Sequence, residues 1–241
     1  MPGRTHSVWR KIAIALAWLL AILLLPGPLI IRTFIVQPFN TPSGAMMPTL
    51  LVGDYFTVAK YAYGYSHYSL PFSPPLFSGR IFGSQPQRGD LVVFRLPRDD
   101  TTDYIKRLVG LPADRIQMRD GQLYINGVAV KRERVADFVD EADGHARRVK
   151  RWRETLPNGA SYETLDLQDN GFLDNTPEYA VPAGHYFVIG DNRDNSTDSR
   201  TPSQVGYIPF ENLVGRVAMI FYSVDRDRGL TRFERIGTFV R

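Results

Sequence analysis

The chain has 241 residues, of which 44% are hydrophobic and 22% charged, so it can bury a sizeable core and is not mostly disordered. Lysine and arginine number 29 against 25 aspartates and glutamates, but four of the basic residues lie at or before Arg32 and the first acidic residue is Asp54. The remainder is neutral, which argues against nucleic-acid binding. Because cysteine is absent, disulfides, thiolate zinc sites and a cysteine nucleophile are excluded.

The first predicted element is a transmembrane helix. Residues 12–31 read IAIALAWLLAILLLPGPLII, 20 residues without a charge, and a helix of that length spans the ~30 Å hydrocarbon core of a bilayer. Three basic residues precede this stretch, Arg4, Arg10 and Lys11. Only Arg32 follows it closely, so the positive-inside rule predicts a cytoplasmic N-terminus over 1–11, an anchor over 12–36 and an exported remainder.

The alternative interpretation of the N-terminal stretch is a cleaved secretory signal. Such signals have an apolar region of about 7 to 15 residues, closely followed by a small-x-small cleavage site. The tripeptide Ser43-Gly44-Ala45 has that form, but it lies 12 or more residues beyond Ile31. The sequence therefore favours an anchor that is retained.

Beyond Pro38 the chain consists of short apolar runs bounded by Gly, Pro, Asn and Asp, a spacing that predicts an all-β domain. Two turn dipeptides, Asp120-Gly121 and Asn126-Gly127, flank one of these runs and predict a local meander. The predicted strands cover residues 55–60, 90–96, 104–109, 115–118, 122–125, 186–189 and 213–222.

Two segments of this part of the chain differ from the rest. Residues 61–87 are rich in Tyr, Phe, Pro and Ser, a composition that fits either a loop resting on the membrane or a plain loop packed on the core. Residues 131–154 form a dense stretch of mixed charge. Such stretches are usually solvated, so we expect this one to be surface.

Three motifs carry more information than a fold requires. They are PSGAMMPTL at 42–50, RGDLVVF at 88–94 with DYIKRLVGLP at 103–112, and GDNRDNSTDSR at 190–200. Each alone is explained as a loop, a strand or a turn. Together, in this order after a predicted anchor, they resemble the characteristic segments of bacterial type I signal peptidase (leader peptidase), a membrane-anchored Ser/Lys protease that removes signal peptides from exported pre-proteins.

The resemblance implies a mainly β fold with a signal-peptidase-like barrel or sheet as catalytic core, over residues 37–114 and 186–241. A smaller β-rich subdomain is expected to be inserted over 115–185. The implied location is the bacterial inner membrane, with one transmembrane helix and the catalytic domain on the periplasmic side. The implied partners are signal peptides and membrane lipid, with neither cofactor nor metal; the oligomeric state is left open.

The resemblance also assigns roles to single residues. Lys106 matches the general base, Ser196 the serine that orients it, and Ser43 a hydroxyl of the oxyanion hole, whose other donor is the backbone N–H of residue 45. The positions expected to brace the site are Gly190, Asp191, Asp198 and Arg200. Those expected to line the substrate pockets are Phe39, Pro42, Met46, Leu50, Val93, Tyr104 and Ile105.

Position 45 departs from the family pattern, which has the nucleophilic serine where this chain has Ala45. Alanine has no hydroxyl, so acyl transfer cannot proceed through this residue. The chain is then a peptidase disabled by a deliberate Ser→Ala change, or a natural inactive relative that binds signal peptides; a Ser/Lys maturase of specialised pre-proteins is a third hypothesis. Retention of Lys106 and Ser196 favours the first. Ser43 as a substitute nucleophile would leave the oxyanion hole short of a donor.

The chemistry of a Ser/Lys pair requires an unusual lysine. An ordinary lysine has a pKa of about 10.4, and only its neutral amine can accept a hydroxyl proton. We expect apolar neighbours of Lys106, including Tyr104, Ile105 and Leu108, to desolvate the ammonium and lower its pKa. The histidines are scattered in unlike contexts and predict neither a metal site nor a Ser-His-Asp triad. They are His6, His67, His145 and His185.

Overall fold

A computed structural model describes residues 9–16, 18–19, 32, 34–70, 72–140 and 146–240. Residues 9–16 and 18–19 are helical. No helix within these described ranges is both long and apolar enough to cross a membrane. Residues 20–31, which make up more than half of the apolar run predicted as the anchor, lie outside the described residues, as do residues 1–8 of the predicted cytoplasmic segment.

The rest of the described chain is mainly β, as predicted. In chain order the strands are β1 (Val36–Asn40), β2 (Asp54–Ala59), β3 (Leu91–Arg95), β4 (Asp103–Gly110), β5 (Arg115–Arg119), β6 (Gln122–Ile125), β7 (Val128–Ala129), β8 (Lys131–Asp140), β9 (Arg147–Thr155), β10 (Ser161–Asp166), β11 (Tyr179–Ala180), β12 (His185–Ile189), β13 (Ile208–Pro209), β14 (Leu213–Asp225) and β15 (Leu230–Thr231). Short 3₁₀ helices cover Gly44–Met46, Lys60–Tyr63, His67–Ser69, Phe210–Asn212 and Phe233–Arg235.

The largest sheet is antiparallel and has the order β1-β2-β14-β3-β4-β12-β13, with β15 paired to β14. Strand β4 pairs with β3 from Asp103 to Arg107, but with β12 only through Arg107, Leu108 and Gly110. Strand β1 pairs with β2 alone. Within the described residues, one edge of β1 and one edge of the first half of β4 therefore have no partner strand.

Two smaller sheets lie between β4 and β12 along the chain. One has the order β11-β5-β6-β7 and the other β10-β9-β8. The predicted insertion, 115–185, encloses both sheets, and its division from the core as a domain stays a prediction. A continuous apolar cluster that includes Val109 and Phe187 of the large sheet and Ile116 and Leu123 of the first small sheet joins the two.

The mixed-charge stretch forms strands β8 and β9, which the sequence did not predict. Many of its side chains are exposed, as expected of a solvated surface, but Val149 and Glu154 are buried. Its charges are used within the sheet, because the Arg132 guanidinium stacks 4.0 Å from the Trp152 ring centroid and Arg151 pairs with Glu163 at 3.1 Å. Cross-strand pairs of this kind stabilise a sheet without an apolar pattern.

The 61–87 segment is partly fixed to the core. Its Arg80 donates hydrogen bonds of 2.7–2.9 Å to backbone carbonyls of Tyr63, Gly64, Phe210 and Leu213. On both sides of Arg80 in the chain, several apolar side chains of the segment are exposed, namely Phe72, Leu76, Ile81 and Phe82. One part of the segment therefore packs as a plain loop, and the contact of the other part with lipid stays a prediction.

Candidate active site

Position 45 lies in the 3₁₀ helix Gly44–Met46, between β1 and β2. Asn192 fixes this turn from a distant part of the chain, because its backbone N–H donates to the Ala45 carbonyl and its Nδ2 to the Gly44 carbonyl, both at 3.1 Å. Gly190 lies against the same turn. A Cβ atom there would come within 2.8 Å of the Ala45 oxygen and 2.1 Å of Ser196 Oγ, so only glycine fits.

Lys106 lies on β4 opposite Val92 and is buried, with 5% of its surface exposed. Its Nζ lies 5.5 Å from the Tyr104 ring centroid, and none of the described carboxylates lies within 4.0 Å of it. Burial lowers the pKa of Lys106 below its ordinary value of 10.5, and the more distant Asp198 and Asp191 oppose the shift. Desolvation therefore dominates, as expected from the sequence, and favours the neutral amine.

Ser196 lies near the Gly44–Met46 turn, and Ser43 lines the same cleft as Lys106. Ser196 Oγ is buried and makes no hydrogen bond within 3.5 Å to any described residue. Ser43 immediately precedes the 3₁₀ helix and does not cap it with its side chain. Both hydroxyls thus keep their hydrogen-bonding capacity for a partner that enters the site.

Behind the site lie fully buried ion pairs. Arg107 meets Asp191 through two hydrogen bonds of 2.7 and 2.6 Å, and Arg200 meets Asp198 through two of 2.9 and 2.8 Å. The side chains of both pairs are at most 1% exposed. Burial alone would raise the pKa of Asp198, but the Arg200 guanidinium and the Gly190 amide hold it below its usual range.

The ion pairs extend into the second small sheet. The Arg107 guanidinium lies 4.2 Å from the Tyr162 ring centroid, and the Tyr162 hydroxyl donates to Glu154 at 2.9 Å. Glu154 in turn accepts a hydrogen bond of 2.5 Å from Arg193. The 190–200 loop is therefore held between the large sheet and strands β9 and β10, and it carries the predicted bracing residues.

The candidate site opens into a cleft of about 610 Å³ between β1 and β4. Eight of the predicted site residues line it, namely Phe39, Pro42, Ser43, Ala45, Met46, Tyr104, Ile105 and Lys106. Six further residues line it that the sequence did not single out, namely Asn40, Thr41, Thr102, Asp103, Asn195 and Thr197. Three of these six lie within the motifs, Asp103 in the second and Asn195 and Thr197 in the third, so the motifs themselves carried the signal.

Two residues predicted to line the substrate pockets do not line this cleft. Leu50 and Val93 have no exposed surface and lie in the apolar cluster around Met46. The neighbours of Val93 on β3 are buried too, so a residue in this strand supports the wall of the cleft from the core side. Both side chains therefore lie behind the cleft, in the apolar cluster that also contains Met46 and against which Ile105 packs.

The fold and the site agree with a peptidase family. The family model described as signal peptidase, peptidase S26, matches residues 11–222, and the chain therefore belongs to this family. Signal peptidase I of Rickettsia typhi is 44% identical over 215 residues, which cover 84% of this chain and 80% of that protein. Signal peptidase I of Rickettsia conorii is 45% identical over 203 residues, 81% and 74% of the two chains.

Among solved structures, the chain matches a signal peptidase I from Enterococcus faecalis V583. The two are 30% identical, with a TM-score of 0.33, and the match covers 55% of this chain and 97% of that chain.

Proposed function

We propose that this chain binds signal peptides of exported pre-proteins in the cleft between β1 and β4. The observation that carries the proposal is the cleft itself, where two strand edges that have no partner among the described residues flank Ala45 and the buried Lys106. An extended peptide can pair its main chain with such an edge. Alternate side chains of that peptide then enter pockets beside Phe39, Met46 and Tyr104, whose bulk favours small residues at the cut and two positions before it.

With a serine at position 45, the chemistry would run through Lys106. Its neutral amine accepts the hydroxyl proton while the serine oxygen bonds to the scissile carbonyl carbon. The Ser43 hydroxyl and the residue 45 N–H stabilise the resulting oxyanion. The Lys106 ammonium then gives its proton to the leaving amine. In the second step the neutral Lys106 amine deprotonates a water molecule, which attacks the acyl group, releases it and restores the serine.

Ala45 has no side-chain hydroxyl to attack the scissile carbonyl carbon, so the chain with Ala45 binds the peptide without cutting it. Alanine is small and its carbonyl and neighbours are held by Asn192, so the surrounding donors keep their positions. This supports a signal-peptide-binding function for this chain, whether the alanine is natural or introduced. Specialised pre-protein maturation would use the same residues and differ only in substrate.

The test compares the chain with its Ala45→Ser variant on a peptide that contains a signal-peptide cleavage site. We expect the chain to bind the peptide uncut and Ala45→Ser to cleave it. Adding Lys106→Met to Ala45→Ser should lower kcat/KM by about 10⁴-fold or more, because nucleophile and base act as one unit. Adding Lys131→Met, a change of an exposed lysine, is the matched control and should have no effect. Cleavage by the Ala45 chain would refute the assigned nucleophile.

We also propose that residues 12–36 anchor the chain in the inner membrane, with residues 1–11 cytoplasmic and the β sheets periplasmic. The support is the uncharged run and its basic flank. Protease added to intact spheroplasts should then digest the β sheets. Complete protection until the cells are lysed would contradict this topology.

A further inference from the structure

A second cavity, of about 560 Å³, lies at the edge of the large sheet that follows the predicted anchor. The antiparallel order brings the starts of β1, β4 and β14 and the ends of β2 and β3 to this one edge. Gln37, Arg95 and Asp103 line the cavity from three of these strands, and Arg32 and Lys60 line it from flanking segments. Its volume is in the range that holds small ligands or head groups.

The carboxylates of this cavity already have partners. Asp103 Oδ1 lies 2.9 Å from Arg95 Nε, and Asp100 accepts a hydrogen bond from the Tyr68 hydroxyl. Neither Lys60 nor Arg32 has a carboxylate within 4.0 Å among the described residues. The cavity therefore holds two cationic side chains whose charge the described part of the chain does not neutralise at contact distance.

Lys60 is the more confined of the two. It is 3% exposed, and its Nζ donates a hydrogen bond of 2.6 Å to the Ser69 carbonyl. An ammonium has three N–H donors, so two remain for a ligand. Burial and, to a lesser extent, the nearby Arg32 lower the pKa of Lys60 to about 8, against the opposing effect of Asp103, and the group is therefore still mainly cationic at neutral pH. A buried cation with spare donors is stabilised by an anion.

We propose that this cavity binds the phosphate group of an anionic membrane phospholipid, with Lys60 and Arg32 as its contacts. The inference depends on the proposed anchoring of residues 12–36, because Arg32 follows the uncharged run directly and brings the cavity to the lipid surface. Phe72, which also lines the cavity, is fully exposed and is placed to enter the acyl region beside the head group. A free phosphate ion would make no use of this apolar side chain.

The site would lie next to the peptide cleft. Asp103 lines both cavities, and β1 contributes Gln37 to one and Phe39 to the other. A bound lipid would then fix the edge of the groove into which the substrate strand enters. The two cavities thus lie along the same two strands, β1 and β4.

The experiment titrates the full chain in neutral detergent with short-chain phosphatidylglycerol and measures the bound lipid by native mass spectrometry. Lys60→Met and Arg32→Gln should each weaken binding by about 10-fold or more, as expected when a charged hydrogen-bond partner is lost. Lys131→Met, which removes an exposed lysine elsewhere, should leave binding unchanged. Arg32 is exposed, so its variant reports on binding even if Lys60→Met folds poorly.

Three outcomes would overturn the proposal. The first is equal binding of phosphatidylglycerol by all three variants. The second is competition by inorganic phosphate at the same concentration as the lipid, which would assign the site to free phosphate. The third is a Lys60→Met variant that binds a signal peptide more weakly in lipid-free detergent and still binds phosphatidylglycerol with unchanged affinity. Lys60 would then act on the peptide and not on the lipid. A failure of the anchoring proposal can be distinguished from these outcomes. The chain would then fail to insert into phosphatidylcholine vesicles, whichever residue occupies position 60.

Discussion

Lys106 and Arg107 are neighbours on β4 and both are buried, but their surroundings differ in one respect. Arg107 has a carboxylate in contact, while Lys106 has none within 4.0 Å among the described residues. Successive side chains of a strand point to opposite faces, so one lines the cleft and the other faces the buried ion pairs. A carboxylate partner, and not the depth of burial, therefore separates a fixed supporting charge from a lysine available as a base.

The largest effect should follow from Arg107→Met, which leaves Asp191 buried without its cation. Breaking a buried pair in this way costs about 3–5 kcal/mol, measurable by chemical unfolding of the full chain in detergent. Arg115→Met removes a pair with Glu178 that is largely exposed, and we expect this control to cost less than about 1 kcal/mol. Equal costs for the two variants would contradict the structural role of the Arg107 pair.

A smaller effect should follow from Gly190→Ala, which tests whether the 190–200 loop must contact the Gly44–Met46 turn. The added methyl group would displace Ser196 or the Ala45 carbonyl, and overpacking of this kind costs about 1–3 kcal/mol. In the Ala45→Ser background it should also lower kcat/KM. Gly83→Ala is the matched control, since its nearest described atom would lie at an ordinary 3.5 Å from the new Cβ. A stable, active Gly190→Ala variant would show that the contact is dispensable.

The smallest effect concerns Lys106 and pH. Its pKa is lowered on folding, so between that pKa and 10.5 the unfolded chain binds a proton that the folded chain does not. Stability must then rise with pH across this window and fall as pH falls through it. Lys106→Met should reduce the slope by at most about 1.4 kcal/mol per pH unit, while Lys131→Met should not. An unchanged slope would mean that Lys106 is an ordinary solvated lysine.

Much of the large sheet could be predicted from the sequence, because its strands are apolar runs between turn residues. Strands β2, β3, β4, β12 and β14 lie within a few residues of their predicted bounds. Strand β1 was not predicted, because it crosses the predicted end of the anchor at residue 36 and forms no apolar run beyond Pro38. Strands β8 and β9 were not predicted, because their sequence does not alternate between apolar and polar residues. Ion pairs and cation–ring contacts across the strands stabilise them instead.

The candidate site was predicted from its motifs, and the structure brings Ser43, Ala45 and Lys106 to one cleft. The bracing by Asn192 could not be predicted, because it acts through backbone atoms that no residue type reveals. Nor could Lys60 be recognised, since a single lysine after a strand is ordinary until the fold removes water from it. Sequence motifs thus predicted residues that line the cleft and missed the contacts that hold or surround them.

The hydrogen bonds from Asn192 to the 44–45 turn have a consequence for the timing of assembly. They join residues about 150 positions apart, and Gly190 and Ser196 approach the same turn from the same late segment. During synthesis, the turn leaves the ribosome long before the loop that fixes it. A nascent chain that ends before residue 190 therefore contains residue 45 but lacks the residues that fix the turn around it. A serine at position 45 would then stay inactive until most of the protein has been synthesised.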